Sequence, residues 1–519
     1  MLHLSESAKS LTNQMVKMSL ASRSAWYFLS PIAGAGISLL VLPLSTRVIG
    51  AEEYGALAVA AAVAAMLNAM AAAAIGFVLS ENYLRDEMSG VRGEIACAAV
   101  LAAVGGALAG LVIFWPVTEL LLPHLLVVND VLARGMRICL LGAVIGSPWV
   151  VCVELFMLEG RARAFAVGTI AQALVNGCMV LILLYIRPMP DLALFAGNFA
   201  GQVVLAAVGV TAIASRLRWP RDGRWFATML SKAVPVGRAS LAEAGRSLFE
   251  RGYLGAWTSV SDVGLYSHAH LYRSWAMLTL NAVSRATWPI NLAEAQAAEP
   301  TFVVTRASWA IVQAGVGGVA MLFALFGGEI ISVLSSGKFV AAKLLAVILL
   351  ASLLIQTTGK PDTALLIARG RGQFVANAAT AGIIAGIIAM LALLPLYGAL
   401  GAALAVVVQM LVTRGFLVYA SRRIYPLPFA DGWVLFGLGG TAALYGWTSL
   451  AAPGIILRAL AMAAVIAAIA GVLRSQALVF FRYRSAPSPP PSTASAVPDR
   501  HSSAHRPAHR DERRTNTLG

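Results

Sequence analysis

Long apolar stretches, separated by short polar connections, fill almost the whole chain. Each stretch is long enough to cross about 30 Å of hydrocarbon at about 1.5 Å of helix per residue. The pattern predicts an all-α polytopic membrane protein. Its fourteen predicted spans are 25–46, 55–80, 95–117, 136–158, 165–186, 191–214, 233–257, 263–289, 308–327, 343–367, 375–396, 398–420, 432–450 and 454–481. Twelve or thirteen spans are alternatives, because the seventh and eighth contain charges and only Pro453 divides the last pair.

The polar connections between the apolar stretches of the first half recur in the second half at an offset of 209 residues. This shift takes Gly55 to Gly264 and Phe165 to Phe374. A duplicated helical bundle is typical of secondary transporters, which bind their substrate between the two repeats. The sequence therefore favours transport over a chemical reaction. We interpret Gly55 and Gly264 as structural residues that permit a tight turn between helices.

Composition and charge agree with a membrane environment. Hydrophobic residues make up 59% of the chain and charged residues 12%, far from the average of soluble proteins. Lys and Arg collect on alternate connections, which are predicted to be cytoplasmic together with both termini. The net charge of +15 reflects this bias and a basic tail, so no nucleic-acid partner is predicted.

A family resemblance is carried by three short segments. The first comprises Leu42–Leu44, Arg47, Gly50 and Glu53–Gly55, and the other two are Asp262–Tyr266 and Pro395–Ala403. They resemble the polysaccharide flippases of the multidrug/oligosaccharidyl-lipid/polysaccharide exporter (MOP) superfamily, and the similarity covers most of residues 20 to 480. It implies a V-shaped bundle of two six-helix lobes with two additional C-terminal helices. The expected organisation is a cytoplasmic segment 1–24, an N-lobe 25–215, a basic linker 216–232, a C-lobe 233–420, two helices in 421–484 and a disordered cytoplasmic tail 485–519.

The same resemblance implies a function. Such a flippase moves polyprenyl-diphosphate-linked oligosaccharide repeat units across the bacterial inner membrane by alternating access, for exopolysaccharide, capsule or O-antigen (lipopolysaccharide) biosynthesis. Expected partners are this lipid-linked oligosaccharide, membrane lipids, and polysaccharide polymerase and export machinery. No catalytic residue, metal site or cofactor is predicted. The alternatives are a peptidoglycan lipid flippase, a cation-coupled multidrug exporter of the same superfamily and, as an enzyme, a membrane glycan polymerase or ligase.

Eight charged residues fall inside predicted spans. They are Arg238, Glu243, Arg246, Glu250 and Arg251 in the seventh span, Arg273 in the eighth, and Lys360 and Asp362 in the tenth. If all faced lipid near the bilayer centre, they would together cost roughly 20 kcal/mol. They must therefore face a cavity or one another. A shift of 209 residues towards the N-terminus takes the first six of these charged residues to uncharged positions of the first half. The second half therefore supplies most of the ionic groups within the predicted spans.

We predict that Arg238, Arg246, Arg251, Arg273 and Lys360 bind the substrate diphosphate in a central cavity. Glu243, Glu250 and Asp362 are predicted to balance charge or to couple transport to an ion. A simpler alternative is local neutralisation, by an Arg246–Glu250 pair one helical turn apart and by a Lys360–Asp362 pair. His268 and His270 do not form a helical chelate, because residues two apart face different sides.

Overall fold

The computed structural model describes residues 26, 29–72, 75, 79, 83, 90–121, 130–221, 223–296, 302–425 and 432–485. The predicted N-terminal segment 1–24 and nearly all of the predicted tail 485–519 lie outside these residues. Every regular element in the described part is helical. The predicted all-α fold is therefore confirmed.

Fifteen helices follow one another along the described chain. They are α1 (Leu29–Val48), α2 (Ala51–Ala72), α3 (Arg92–Pro116), α4 (Asp130–Gly146), α5 (Pro148–Leu158), α6 (Ala162–Tyr185), α7 (Pro190–Ile213), α8 (Arg224–Trp257), α9 (Val260–Gln296), α10 (Val303–Ser335), α11 (Lys343–Ala368), α12 (Gly372–Tyr397), α13 (Ala399–Arg422), α14 (Gly432–Leu450) and α15 (Ile455–Ser485). Helices α4 and α5 form one crossing, which bends at Pro148 because proline removes a backbone donor.

Eleven segments in the described chain are long and apolar enough to cross a membrane. Helices α8, α9 and α14 are not among them, although 19 or more residues give each a length of about 28 Å or more. Helices α8 and α9 carry the charged residues that lower their hydropathy. The predicted count of fourteen spans is compatible with this set.

The helices pack as two bundles. In the first half, α2 packs against α3 and α4, and α6 packs against α7. In the second half, α10 and α13 pack against α11, and α12 packs along α13. Helices α14 and α15 both lie on α10, outside the second bundle. Helix α2 also packs extensively against α8 and α9, so it is the main contact between the halves.

The two halves cross at the glycines that the sequence repeat identified. A Cβ atom on Gly55 would collide with the Val260 carbonyl oxygen, and a Cβ atom on Gly264 would collide with the Ala51 carbonyl oxygen. Ala51 and Val260 are themselves related by the 209-residue offset. Both glycines lie inside helices, so the expected role in a turn between helices is wrong. Their role is to let α2 and α9 approach at backbone distance.

Further contacts join the halves at the same end of the bundle, which we call the closed end. The Lys338 ammonium donates to the Arg47 carbonyl oxygen at 2.8 Å and to the next two carbonyls at 3.3 Å. These are the orphan carbonyls at the C-terminus of α1. The Thr46 hydroxyl lies 3.3 Å from the Leu334 carbonyl oxygen. Among the described residues, every hydrogen bond between the two bundles lies here.

The connection between the halves is shorter than predicted and is fixed to the first half. Helix α8 begins at Arg224, inside the segment predicted as linker. The Arg218 backbone N–H donates to the Gly93 carbonyl at 3.1 Å, and Arg216 pairs with Glu159. Glu159 also accepts the Tyr83 hydroxyl at 2.7 Å. Burial and this carboxylate raise the pKa of Tyr83 to about 12, so the hydroxyl remains a donor at neutral pH.

Candidate functional site

Three of the predicted residues form one ionic cluster on α8. Arg246 donates to Glu243 at 2.8 Å and pairs with Glu250 one turn further on. The Glu250 side chain is 3% exposed, whereas that of Glu243 is 56% exposed. The local neutralisation of Arg246 by Glu250 is therefore present. A buried carboxylate between charged partners is stable only while those partners remain in place.

Arg251 and Arg273 are close to this cluster but have neutral hydrogen-bond partners. The guanidinium of Arg251 donates to Ser247, and that of Arg273 donates to the Gln356 side-chain oxygen on α11 at 2.8 Å. The Nε–H of each arginine is buried and makes no hydrogen bond within the described residues. Both cations thus keep donor capacity that protein groups do not use.

Asp362 pairs with a residue that the sequence reasoning did not select. Its carboxylate accepts from Arg414 on α13 and from the hydroxyl of Ser421. The alternative pairing of Asp362 with Lys360 is therefore wrong. Proline at position 361 lies within α11, and residues 360 and 362 face different sides of the helix. Asp362 holds α11 to α13.

Lys360 is left without a carboxylate. Its side chain is half-buried on α11, and it has no hydrogen-bond or ion-pair partner within the described part of the chain. Arg238 lies on α8, but its side chain falls outside the described residues. The structure therefore brings Arg246, Arg251 and Arg273 together with the two glutamates, and it places Lys360 apart from Asp362.

The cations on α8, α9 and α11 lie at different depths. Counted from the closed end at about 1.5 Å per residue, Arg251 lies about 9 Å in, Arg246 about 17 Å and Arg273 about 20 Å. Lys360 lies about 26 Å in. Basic groups are therefore spread over about 17 Å, a little over half of the hydrocarbon thickness of a bilayer.

The two histidines of α9 face different partners. His268 forms a hydrogen bond with the Tyr272 hydroxyl, with 2.8 Å between Nε2 and the hydroxyl oxygen. Its ring stacks on Phe339 with 4.3 Å between the ring centroids. Tyr54 of the first half packs edge-on against His268 at 5.6 Å. His270 faces Glu250 instead, with 3.8 Å between Nε2 and Oε1. One histidine thus contacts the crossing between the halves and the other the ionic cluster.

Comparison with solved structures identifies the architecture. The structure titled lipid II flippase MurJ, in an inward closed conformation, matches with a TM-score of 0.66 and 12% identity over 89% of this chain and 99% of that chain. An inward-facing multidrug resistance MATE family transporter of the MOP superfamily matches with a TM-score of 0.58 and 14% identity over 79% of this chain and 96% of that chain. The chain has the same fold as these two proteins. No protein-family model and no curated protein sequence matches it.

Within this fold, a cavity of about 310 Å³ lies between α10 and α11 of the second bundle and the additional helices α14 and α15. Trp309, Trp433 and Phe436 form its apolar wall, and Arg306 and Gln476 contribute polar groups. A cavity of this size holds a segment of a small molecule or of an acyl chain. It is separate from the ionic cluster on α8.

Sequence reasoning missed three functional candidates. Arg414 lies in the predicted twelfth span, where a charge within an apolar run was the available signal. His270 was considered only as a metal ligand, although its neighbour Glu250 lies on another helix. Gln356 carries no charge and gave no signal. Among the described residues, no group of three or more His, Cys, Asp or Glu side chains could hold a metal ion.

Proposed function

We propose that this protein is a flippase that moves polyprenyl-diphosphate-linked oligosaccharide repeat units across the bacterial inner membrane. The oligosaccharide supplies exopolysaccharide, capsule or O-antigen biosynthesis. The two bundles rock about the crossing of α2 and α9, so that the polar interior opens to one side of the membrane at a time.

One observation carries the proposal. Arg251, Arg273 and Lys360 have no carboxylate within ion-pair distance among the described residues. Uncompensated cations inside a membrane bundle are costly, so they indicate a pathway for an anion. A diphosphate bears about two negative charges and accepts hydrogen bonds from arginine in bidentate geometry. The cations from Lys360 to Arg251 lie at successive depths. They would contact the diphosphate in turn as it moves from one leaflet towards the other.

The distribution of Lys and Arg supports a direction. The connections at the closed end contain few basic residues, which is typical of the periplasmic side. A bundle closed at that end accepts its substrate from the cytoplasm. Outward movement of the diphosphate against an inside-negative potential is favourable by about 2.3 kcal/mol per charge per 100 mV. The membrane potential therefore drives transport in this proposal, and Glu250 contributes by keeping Arg246 in place.

The additional helices support a lipid-linked substrate. The cavity between α10, α11, α14 and α15 has three aromatic side chains in its wall and would accommodate part of a polyprenyl chain. The MurJ structure also matches a larger share of this chain than the MATE structure does. A peptidoglycan lipid flippase is therefore the second candidate, because its substrate has the same anionic and polyprenyl parts. A multidrug exporter for cationic drugs fits less well, since Arg251, Arg273 and Lys360 have no carboxylate within ion-pair distance among the described residues.

The test compares glycolipid and polymer in a deletion strain of the source bacterium. Loss of the secreted polymer, with intact repeat units retained on the cytoplasmic leaflet, is expected. Complementation by Arg273→Gln should restore less than a tenth of export, while Arg187→Gln, which removes an exposed cation outside the interior, should restore it fully. Normal polymer export with accumulation of peptidoglycan precursor would select the second candidate. Normal export with altered drug sensitivity would overturn the proposal.

A further inference from the structure

A second basic site lies at the closed end, away from the ionic cluster on α8. A cavity of about 630 Å³ opens between α10, α11 and the connection from α14 to α15. Lys343 and Arg458 line it, together with Glu329, Ser332 and Thr448. None of these residues belongs to the proposed substrate pathway.

The charges of this cavity do not balance. Arg458 pairs with Glu329 and also donates to the Leu325 carbonyl at 3.1 Å. Lys343 has no carboxylate partner within the described residues, and its ammonium lies 5.4 Å from the centre of the Tyr445 ring. The Nε–H of Arg458 is buried without a hydrogen bond in the described structure. The cavity therefore has a net positive charge with unused donors.

The positions of Lys343 and Arg458 increase the excess of positive charge in this cavity. Lys343 is the first residue of α11, and Arg458 lies in the first turn of α15. A helix N-terminus already has a partial positive charge, so a cation there is unfavourable unless an anion is close. Two such ends converge on one cavity. The cavity therefore favours an anion such as a phosphate group, which the two side-chain cations can bind by charge-assisted hydrogen bonds.

Exposed apolar side chains lie at and near the cavity. Val333 lines it and is 74% exposed, and Leu450 and Ile456, which are close in sequence to the lining residues Pro453 and Arg458, are 91% and 73% exposed. Apolar side chains that are this exposed at the end of a membrane helix contact acyl chains. A ligand that enters between them has an acyl or prenyl tail in the bilayer and its anionic head at the level of Lys343.

We propose that Lys343 and Arg458 bind the phosphate of an anionic lipid headgroup, in preference to a zwitterionic one, in the leaflet at the closed end. The lipid holds α15 against α11, because its phosphate bridges the first turns of these two helices. Glu329 competes with the phosphate for Arg458, so it tunes the affinity. This site does not depend on the identity of the transported substrate.

The experiment measures lipid binding to the purified, delipidated full-length protein by native mass spectrometry. The probes are dioleoyl phosphatidylglycerol, undecaprenyl monophosphate and, as a zwitterionic reference, dioleoyl phosphatidylcholine. Lys343→Gln/Arg458→Gln is expected to weaken binding of the preferred anionic lipid by about five-fold for each cation removed. The control Arg137→Gln/Arg187→Gln removes two other cations outside the cavity and should change affinity less than two-fold.

Glu329→Gln provides a second variant that disruption of the fold cannot imitate. It removes the competing carboxylate and is expected to strengthen binding several-fold. Preference for phosphatidylglycerol would identify a membrane phospholipid as the ligand, and preference for undecaprenyl monophosphate would identify a polyprenyl carrier. Equal binding of phosphatidylcholine, or equal loss in the control variant, would overturn the proposal.

Discussion

Gly55 of α2 and Gly264 of α9 lie against each other where the two halves of the protein cross. Each glycine faces a backbone carbonyl group of the other helix so closely that a Cβ atom has no room. The two carbonyl groups belong to Val260 and Ala51, which the 209-residue offset relates to each other. Backbone carbonyls within helices cannot move aside as a flexible side chain can. The distance between α2 and α9 is thus fixed by the absence of two side chains.

Replacement of either glycine by alanine is expected to separate the helices at the closed end. Overpacking of this kind costs about 1–3 kcal/mol. Gly264→Ala should lower the thermal unfolding temperature of the detergent-purified protein and reduce export. Gly415→Ala, where a Cβ atom meets open space, is the matched control. It should leave export unchanged and raise the unfolding temperature slightly, because alanine is favoured over glycine within a helix. An unfolding temperature for Gly264→Ala equal to that of the control would contradict the close approach.

The pair of Asp362 and Arg414 gives a second prediction. Asp362→Asn leaves the Arg414 guanidinium half-buried without its carboxylate, which is expected to cost about 3 kcal/mol or more. The double variant Asp362→Asn/Arg414→Gln removes both charges and should recover most of that loss. Thermal unfolding of the wild type, the two single variants Asp362→Asn and Arg414→Gln, and the double variant checks this. Additive effects of the two substitutions would show that the residues do not interact.

Glu243 and Glu250 differ in burial although both contact Arg246. Glu250→Gln weakens a buried pair beside His270, and we expect export to fall at least ten-fold. Glu243→Gln removes an exposed interaction that contributes less than about 1 kcal/mol, so export should change less than two-fold. Polymer yield per folded protein, with folded protein quantified by fluorescence-detected gel filtration, separates the two outcomes. Equal losses would show that burial does not distinguish the two carboxylates.

Lys338 is predicted to hold the closed end shut. Each of its hydrogen bonds to the α1 carbonyls contributes about 0.5–1.5 kcal/mol, so Lys338→Met should increase the open population several-fold. The reporter is Phe339→Cys, since Phe339 is fully buried against Tyr54 and His268. In a Cys178→Ser background, a membrane-impermeant maleimide should label this cysteine several times faster. Lys338→Arg retains the charge and the hydrogen-bond donors, so the cysteine at position 339 should be labelled slowly in this variant. Labelling as fast as in Lys338→Met would rule out loss of the hydrogen bonds as the cause.

The sequence predicted the helices better than it predicted their contacts. Helix α14 occupies 432–450 as predicted, because apolar length alone defines a span. Helix α8 begins earlier than predicted. Its first two turns lie between Arg224 and Lys232, at the end of the basic run that starts at Arg216, and this run of cations was interpreted as a linker. The contact between Gly55 and Gly264 depends on how two helices cross, which periodicity within either helix does not determine.

The charged residues illustrate the same limit. The Arg246–Glu250 pair was predictable because one turn separates its members on a single helix. The Asp362–Arg414 pair joins residues 52 positions apart on different helices, and the nearer Lys360 was the plausible partner. Short-range pairs follow from helix geometry, whereas long-range pairs require the packing.

The crossing of α2 and α9 is self-complementary in the sense of an isologous interface. The glycine of each half packs against the carbonyl group at the equivalent position of the other half. Equivalent residues pack in the same way across the interface of a twofold homodimer. Joining the two copies in one chain frees them to diverge while the shared contact keeps them in register. The first half has uncharged residues where α8 has its arginines and glutamates, so the two halves differ in their ionic groups although they share this contact.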